Sequence, residues 1–246
     1  MRYFLPRSGP LPSIALVLTL AALVPLVIGA AFSPAGARHV AVIPPDGVVS
    51  GAARIIDGDT IDIAGTRIRL EGIDAPETGQ TCKTASSQEW DCGSAATRLM
   101  VTLTQGRRVD CRSGGLDKYG RLLGTCFVDG LDINAQMVRL GYAWAFVRYS
   151  KVYVSQEREA HASLLGIWQG YAMPAWEYRA QAWAAVAPEA PAGCAIKGNV
   201  SRGGHIYHMP WSPWYAKVAM RDDKGTRWFC TESEAQAAGW RPAYTR

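Results

Sequence analysis

Residues 56–78 read IDGDTIDIAGTRIRLEGIDAPET, and this stretch decides the predicted fold. Apolar and polar residues alternate over 60–63 and again over 66–70, which is the pattern of β-strands with one buried face. Ala64 and Gly65 stand between the two runs and provide a tight turn. The stretch therefore predicts a β-hairpin, with a short strand at 55–56 before it.

Helices alternate with further strands downstream of this hairpin. Three helices are predicted from apolar periodicity and from closing glycines, over residues 94–104, 132–140 and 155–165. Strands at 108–112 and 121–128 flank a turn at 118–120. Early strands with interleaved helices predict an α+β fold, specifically a small closed barrel that carries helices.

Carboxylates cluster around the same hairpin. Asp59 precedes its first strand and Asp74 follows its second, so the hairpin can bring both side chains to one place. Gly58 lets the chain turn closely, and Pro76 stiffens the backbone between Asp74 and Glu77. Hard divalent cations such as Ca²⁺ bind carboxylates, backbone carbonyls and water. The pattern predicts two carboxylates for a metal and a third, Glu77, that can act on a water.

Two arginines complete the predicted constellation. Arg69 projects from the hairpin, and Arg121 ends a second motif that reads DKYGR over 117–121. Two planar guanidinium groups can grip one phosphate better than lysines can. Each motif taken alone is more typical of an ordinary turn or loop. Their joint occurrence in this order favours a site for phosphoryl transfer.

These residues resemble the staphylococcal nuclease family over about residues 52–168. The resemblance implies a five-stranded OB-type barrel with three helices. It also implies that Ca²⁺ is bound by Asp59, Asp74 and the backbone carbonyl of Ala75.

The same resemblance assigns roles to the remaining residues. Glu77 would activate or orient the attacking water, while Arg69 and Arg121 neutralise the phosphate. Asp57 would support the metal ligands without contacting the metal. Candidate substrate contacts are Lys118, Tyr119 and Tyr149.

The activity that the resemblance implies is calcium-dependent cleavage of DNA, RNA or both, leaving 3′-phosphate ends. The loop at 78–93 and the segment at 148–151 depart from the family pattern, which affects substrate contacts more than chemistry. The rival hypothesis is a non-catalytic module that binds nucleic acid or the cell envelope on the same barrel.

The N-terminal segment predicts export. Arg2 and Arg7 precede an apolar run over about 14–32, and small residues end at Ala37. The segment 1–37 is either a cleaved signal peptide or an uncleaved membrane anchor, since about twenty apolar residues can span a bilayer. Both interpretations place the rest of the chain outside the cytoplasm, either periplasmic or secreted. The formal net charge of +5 is compatible with a polyanionic partner.

Six cysteines suit an oxidising compartment. Cys111 and Cys126 flank a turn on facing strands, and the other cysteines also pair locally. The expected disulfides are Cys82–Cys92, Cys111–Cys126 and Cys194–Cys230. A structural zinc site is the alternative, but the ligand spacing that zinc sites show does not occur.

The C-terminal part of the chain is predicted to form a small second domain over 193–246. An Ala/Pro-rich linker at 180–192 would separate it from a catalytic domain at 52–170, and a linker at 38–51 would precede that domain. Thr231 and Glu234 form a capping box, so a helix begins there and ends before Gly239. The segment resembles an accessory domain of bacterial exported proteins, and nothing in the sequence indicates more than a monomer.

Overall fold

The structure is a computed structural model that describes residues 47–117 and 121–243. The predicted signal or anchor, most of the first predicted linker, Lys118 and Tyr119 lie outside the described residues. Fifteen strands follow one another along the described chain: β1 (Val48–Ile55), β2 (Thr60–Ile63), β3 (Thr66–Leu70), β4 (Ile73–Asp74), β5 (Thr81–Thr84), β6 (Glu89–Asp91), β7 (Arg108–Leu116), β8 (Leu122–Val128), β9 (Leu131–Asp132), β10 (Trp144–Ala145), β11 (Gly170–Tyr171), β12 (Ile196–Ser201), β13 (Gly204–His208), β14 (Arg227–Phe229) and β15 (Arg241–Pro242). Five α-helices are interspersed among these strands: α1 (Cys92–Thr104), α2 (Ile133–Arg139), α3 (Val154–Ala162), α4 (Ala175–Val186) and α5 (Glu232–Ala237).

Five of the strands form a closed barrel. Their order is β3-β2-β1-β7-β8, and a parallel pairing of β3 with β8 closes the ring, with Ile68 opposite Leu122. Side chains that point inward are completely or almost completely buried, including Ile61, Ile63, Ile68, Leu70, Val109 and Leu122. The alternation in the sequence places these residues on one face of each strand. The predicted five-stranded OB-type barrel with helices is confirmed.

The first strand is longer than the sequence suggested. Residues 48–51, which were assigned to a linker, form the first half of β1 and pair with β7 as far as Val48 opposite Arg112. The glycines and prolines of this region indicated an irregular segment, but the ladder with β7 extends the strand. The barrel therefore begins at residue 48.

Helix bounds agree with the prediction in the first two helices and differ in the third. Helix α3 ends at Ala162, although the pattern predicted a helix as far as residue 165. Leu164 and Gly166 both have positive φ angles, of 52° and 54°, so the right-handed helix cannot continue through them.

All six cysteines form disulfides in the expected pairs, Cys82–Cys92, Cys111–Cys126 and Cys194–Cys230. The alternative of a cysteine-bound zinc ion is therefore excluded. The second bridge lies inside the barrel core, and the third ties the start of β12 to the end of β14.

The predicted interdomain linker needs a correction, because residues 180–186 form the second half of α4. Alanine favours helices more than any other residue, and five alanines lie within α4. Beyond α4, strands β12 to β15 form a four-stranded sheet in the order β14-β12-β13-β15, with α5 following β14. The N-cap half of the predicted capping box is present, since the Glu234 amide donates to Thr231 Oγ1 at 3.1 Å, whereas the Glu234 side chain accepts the amide hydrogen of Cys230, one residue before the N-cap, at 2.8 Å.

The barrel and the C-terminal sheet each have a cluster of buried apolar side chains, while the described residues all belong to one compact unit. The division into separate domains at 52–170 and 193–246 stays a prediction. Within the described part of the chain, no helix has both the length and the apolar character needed to cross a membrane.

Candidate active site

A buried ion-pair cluster lies where β2, β3 and β4 meet. Arg69 donates from Nη1 to Asp59 Oδ1 and from Nη2 to Asp74 Oδ1, both at 2.6 Å. Asp74 is completely buried and Asp59 nearly so. The second Asp59 oxygen accepts the amide hydrogen of Ala75 at 2.9 Å. Short, charge-assisted contacts of this kind hold all these groups in one arrangement.

Strand register explains why these residues meet. Arg69 of β3 lies opposite Thr60 of β2, so its side chain is next to Asp59. A Cβ atom on Gly58 would lie 2.7 Å from the Ala75 Cβ and 2.9 Å from that of Ala96. Only glycine allows the turn before Asp59 to pack this closely on the residues after β4.

Asp57 lies beside this cluster, and its Oδ1 accepts the amide hydrogen of Asp59 at 3.0 Å. Burial raises the pKa of the Asp57 carboxyl well above its usual value, and the negative charges of Asp59 and Glu77 raise it further. Burial has the same effect on the pKa of Asp59, but Arg69, the Ala75 amide and a second arginine outweigh it and lower that pKa.

Glu77 stands at the edge of the cluster in a loop that side-chain bonds fix. Its amide donates to Gln80 Oε1 at 3.1 Å, and Gln80 Nε2 donates to the Met173 carbonyl at 2.6 Å. Burial raises the pKa of the Glu77 carboxyl to about 7, although Arg179 opposes the shift. A carboxyl group with such a pKa can exchange protons near neutral pH.

Arg179 is a residue of this cluster that the sequence did not predict. From helix α4 it donates Nη1 to Asp74 Oδ1 at 3.0 Å and to Glu77 Oε1 at 2.7 Å. Its Nη2 donates to Asp74 Oδ2 at 2.9 Å. The alanine content of α4 was a signal for a helix here, but no local pattern indicated that Arg179 would reach β4.

Arg121, the second predicted arginine, is held by two other carboxylates. Its Nε donates to Asp117 Oδ2 at 2.7 Å, and its Nη1 donates to Glu232 Oε2 at 3.3 Å. Glu232 is the first residue of α5, and its other oxygen accepts the hydroxyl of Tyr207 at 2.8 Å. The predicted phosphate-binding arginine is thus engaged by the C-terminal segment, defined here as residues 171–243, which follow the part of the chain that forms the barrel domain.

A cleft of about 900 Å³ joins these groups. Arg69, Glu77 and Arg121 line it together with the predicted contact Tyr149. Its remaining wall is rich in aromatic side chains: Phe146, Trp176, Trp183, Trp211 and Trp214. Phe146 stacks on Trp176, with ring centres 5.7 Å apart, and its ring centre lies 5.0 Å from that of Tyr149. The cleft therefore combines a charged floor with an aromatic wall.

The donor set fits a hard divalent cation. Four carboxyl groups, Asp57, Asp59, Asp74 and Glu77, meet two guanidinium groups, so the cluster has more potential negative charge than positive. Burial of uncompensated carboxylates is costly unless they bind protons or a cation. Within the described ranges, no three His, Cys, Asp or Glu side chains are arranged to hold a metal by themselves. The predicted set needs only two such side chains and the Ala75 carbonyl.

Comparison with known proteins identifies one family model and several relatives that agree with one another. The family model described as staphylococcal nuclease homologue matches residues 67–170. The succinoglycan biosynthesis protein ExoI of Rhizobium meliloti (strain 1021) is 39% identical over 124 residues, which are 49% of this chain and 65% of that protein. A micrococcal nuclease of Shigella flexneri is 35% identical over 144 residues, or 51% of this chain and 77% of that protein. An uncharacterized endonuclease of Escherichia coli O157:H7 is 35% identical over 134 residues, or 51% of this chain and 81% of that protein.

The chain spans just under two thirds of the first of these proteins and a larger share of the other two. It belongs to the staphylococcal nuclease family. Arg179 and Glu232 both lie beyond the residues that the family model matches.

Proposed function

We propose that this protein is a calcium-dependent nuclease that hydrolyses phosphodiester bonds of DNA or RNA and leaves 3′-phosphate ends. The observation that carries the proposal is the placement of Arg69 between Asp59 and Asp74, with Glu77 in the same cleft. Carboxylates for a cation, a base for water and a guanidinium for phosphate are the groups that this hydrolysis requires.

Each of these residues has a defined part in the proposed reaction. Glu77 accepts a proton from water, whose oxygen then bonds to phosphorus. The bond from phosphorus to the 5′ oxygen breaks, and that oxygen ends as a hydroxyl, so one water is consumed. Arg69 and Arg121 donate hydrogen bonds to the phosphate oxygens as their charge grows.

Asp59, Asp74 and the carbonyl of Ala75 would hold the Ca²⁺, and Asp57 would fix the backbone at Asp59. A bound divalent cation would polarise the phosphate and lower the pKa of a bound water. Residues 47–117 and 121–243 contain the whole predicted set of metal ligands, and Lys118 and Tyr119 remain proposed substrate contacts.

The aromatic wall of the cleft supports nucleic acid as the substrate. Bases stack on aromatic side chains whatever their identity, and arginines attract the backbone. Tyr149 is 68% exposed, and the Arg148 guanidinium lies 6.0 Å from its ring centre. An unpaired strand could place bases along Tyr149, Phe146 and Trp176 while its phosphate reaches Arg69.

We also propose an exported protein, periplasmic or secreted, which is attached to a membrane if residues 14–32 are retained. The three disulfides support this location, because such bonds persist mainly in oxidising compartments.

The alternative is a nucleic-acid-binding module without catalysis. One observation favours it: Arg179 pairs with Glu77, and Glu232 pairs with Arg121, so two proposed catalytic groups are already engaged.

One experiment separates the two functions. The purified chain, with its disulfides formed, is incubated with single-stranded DNA, duplex DNA or RNA in the presence of Ca²⁺, Mg²⁺ or a chelator. Calcium-dependent cleavage to 3′-phosphate ends, lost in Arg69→Ala, is the expected result. Binding without cleavage under every condition would favour the alternative.

A further inference from the structure

The C-terminal segment places a charged side chain against each half of the proposed catalytic machinery. Arg179 presents a positive charge to the carboxylates proposed as cation ligands, and Glu232 presents a negative charge to Arg121, which is proposed to bind phosphate. Each side chain has the charge of the ligand that would bind at that position. Both are poorly exposed, with 20% and 19% of the side-chain surface accessible.

The contacts of Arg179 leave few carboxylate oxygens uncommitted. Both oxygens of Asp74 accept from Arg179, and one of them also accepts from Arg69. The oxygens of Asp59 accept from Arg69 and from the Ala75 amide. A divalent cation needs these same oxygens and is repelled by a guanidinium group beside them. Its binding therefore requires Arg179 to give up its bonds to Asp74.

Glu232 creates the corresponding competition for phosphate. Its carboxylate is oriented toward Arg121 by the hydroxyl of Tyr207, which itself accepts from Arg67 Nη1 at 2.9 Å and from Gln236 Nε2 at 3.1 Å. A phosphate oxygen that approaches Arg121 would meet this carboxylate, and like charges in a poorly solvated cleft repel strongly. The phosphate must displace Glu232 to use the Arg121 guanidinium fully.

We propose that Arg179 and Glu232 determine the affinity of this site, Arg179 for the divalent cation and Glu232 for the phosphate of the polynucleotide. This inference rests on the proposed function. It makes the C-terminal segment part of the active site, because it sets the concentrations of cation and substrate at which the site fills.

A purely supporting role for Arg179 would have the opposite consequence. If Arg179 only held Asp74 and Glu77 in position, its loss would disorder the cation ligands and weaken cation binding. If Arg179 competes with the cation, its loss frees the ligands and strengthens binding. The sign of the change in affinity therefore decides between the two roles.

Calcium titration by calorimetry, without any nucleic acid, tests the cation half. Arg179→Met is expected to bind Ca²⁺ roughly tenfold more tightly than the wild type or better, because a nearby positive charge is removed. Arg179→Lys, which keeps the charge, should stay close to the wild type, and Arg179→Gln, which removes the charge, replaces the Met variant if that variant folds poorly. Arg221→Met is the matched control, since Arg221 is exposed and pairs with Asp223.

Two outcomes would overturn the cation half, and they are distinguishable. Equal or weaker Ca²⁺ binding by Arg179→Met, with binding by the wild type intact, rejects the competition and leaves the proposed nuclease standing. An absence of Ca²⁺ binding in the wild type and in every variant rejects the proposed cation site as well.

Binding of a short oligothymidylate in the presence of a chelator tests the phosphate half. Glu232→Gln is expected to bind it several-fold more tightly, because the competing charge at Arg121 is gone. Glu159→Gln is the control, since Glu159 is exposed and pairs with Arg139. Unchanged or weaker binding by Glu232→Gln would overturn this half.

Discussion

One wall of the cleft is formed by the barrel and the other, the C-terminal wall, by helices α4 and α5. The two walls hold their charged side chains in position by different means. On the barrel wall, backbone geometry fixes Asp59, because the Ala75 amide and the register of β2 with β3 determine its position. On the C-terminal wall, Arg179 and Glu232 reach across the cleft from helices α4 and α5, and side-chain contacts hold them. Backbone-fixed charges keep their place when a ligand arrives, whereas long side chains can rotate away. The barrel is therefore suited to catalysis and the C-terminal wall to control of access.

The largest expected effect comes from Arg69 on the barrel wall. Arg69→Lys keeps the positive charge near Asp59 and Asp74 but loses the planar pair of donors. We expect the cleavage rate to fall by about 10²–10³, the range for loss of one preorganised donor. Initial rates on a labelled oligonucleotide with saturating Ca²⁺ provide the measurement.

The control for this change is Arg54→Lys, since Arg54 pairs with Asp62 on the same barrel and is half exposed. Near wild-type turnover in Arg69→Lys would show that the barrel wall does not carry the chemistry. The assignment of the catalytic arginine would then fail.

The same contrast explains what the sequence could predict. The barrel follows from alternation over β2 and β3, because burial of one strand face is a local property. The carboxylates and Arg69 all lie within residues 57–77, so the β2–β3 hairpin and the short segments that flank it bring them together. Arg179 is more than a hundred residues from Asp74, and its contact depends on how α4 packs. That packing has no local signature.

Two further predictions needed correction, for different reasons. The alanines of 180–186 were compatible with a linker or a helix, and their high helix propensity favours the helix that forms. The strand over residues 48–51 depends on pairing with β7, which lies some sixty residues away. Composition alone does not encode that pairing.

The next effect concerns the stability of the barrel. Asn134 of α2 is completely buried, donates to the carbonyls of Glu71 and Gly124, and accepts the amide hydrogen of Cys126. Asn134→Ala removes these bonds where β8 closes on β3, and we expect a loss of about 2–3 kcal/mol in the free energy of unfolding. Chemical denaturation followed by circular dichroism measures it.

Asn199→Ala provides the counterpart in the C-terminal sheet, where the side chain of Asn199 bonds to His208 Nε2 at 2.8 Å. Asn199→Ala should lower the free energy of unfolding by less than Asn134→Ala does. An equal or larger cost would mean that the barrel is not the more strongly fixed of the two regions.

A smaller effect is expected from disturbing the C-terminal sheet alone. In Gly198→Ala the new Cβ would lie 2.6 Å from Trp240 and 2.8 Å from Phe229, so the local core must shift. Overpacking of this kind costs about 1–2 kcal/mol. We expect this shift to weaken the contacts that Glu232 and Arg179 make across the cleft. The Ca²⁺ affinity of Gly198→Ala should therefore rise toward the affinity of Arg179→Met.

Gly203→Ala is the matched control, because its nearest neighbour is the flexible end of Arg241. Calorimetric Ca²⁺ titrations of both variants supply the comparison. Weaker Ca²⁺ binding in Gly198→Ala would indicate that the C-terminal segment supports the cation ligands and does not compete with the cation.

The smallest effect distinguishes orientation of Glu232 from general stability. Tyr207→Phe removes the hydroxyl that donates to Glu232 Oε1, and Tyr215→Phe removes a hydroxyl that donates to the Ala195 carbonyl at 2.7 Å. Tyr215→Phe should lower the free energy of unfolding by about 1 kcal/mol, the usual contribution of one hydrogen bond, and Tyr207→Phe should lower it by more, because the Tyr207 hydroxyl also accepts from Arg67 and Gln236. Only Tyr207→Phe frees the carboxylate that competes at Arg121, so only this variant should bind oligothymidylate more tightly, by two- to fivefold on the order expected for one such bond. Equal affinities in the two variants would mean that Glu232 keeps its place without Tyr207, and that the C-terminal wall is as firmly fixed as the barrel.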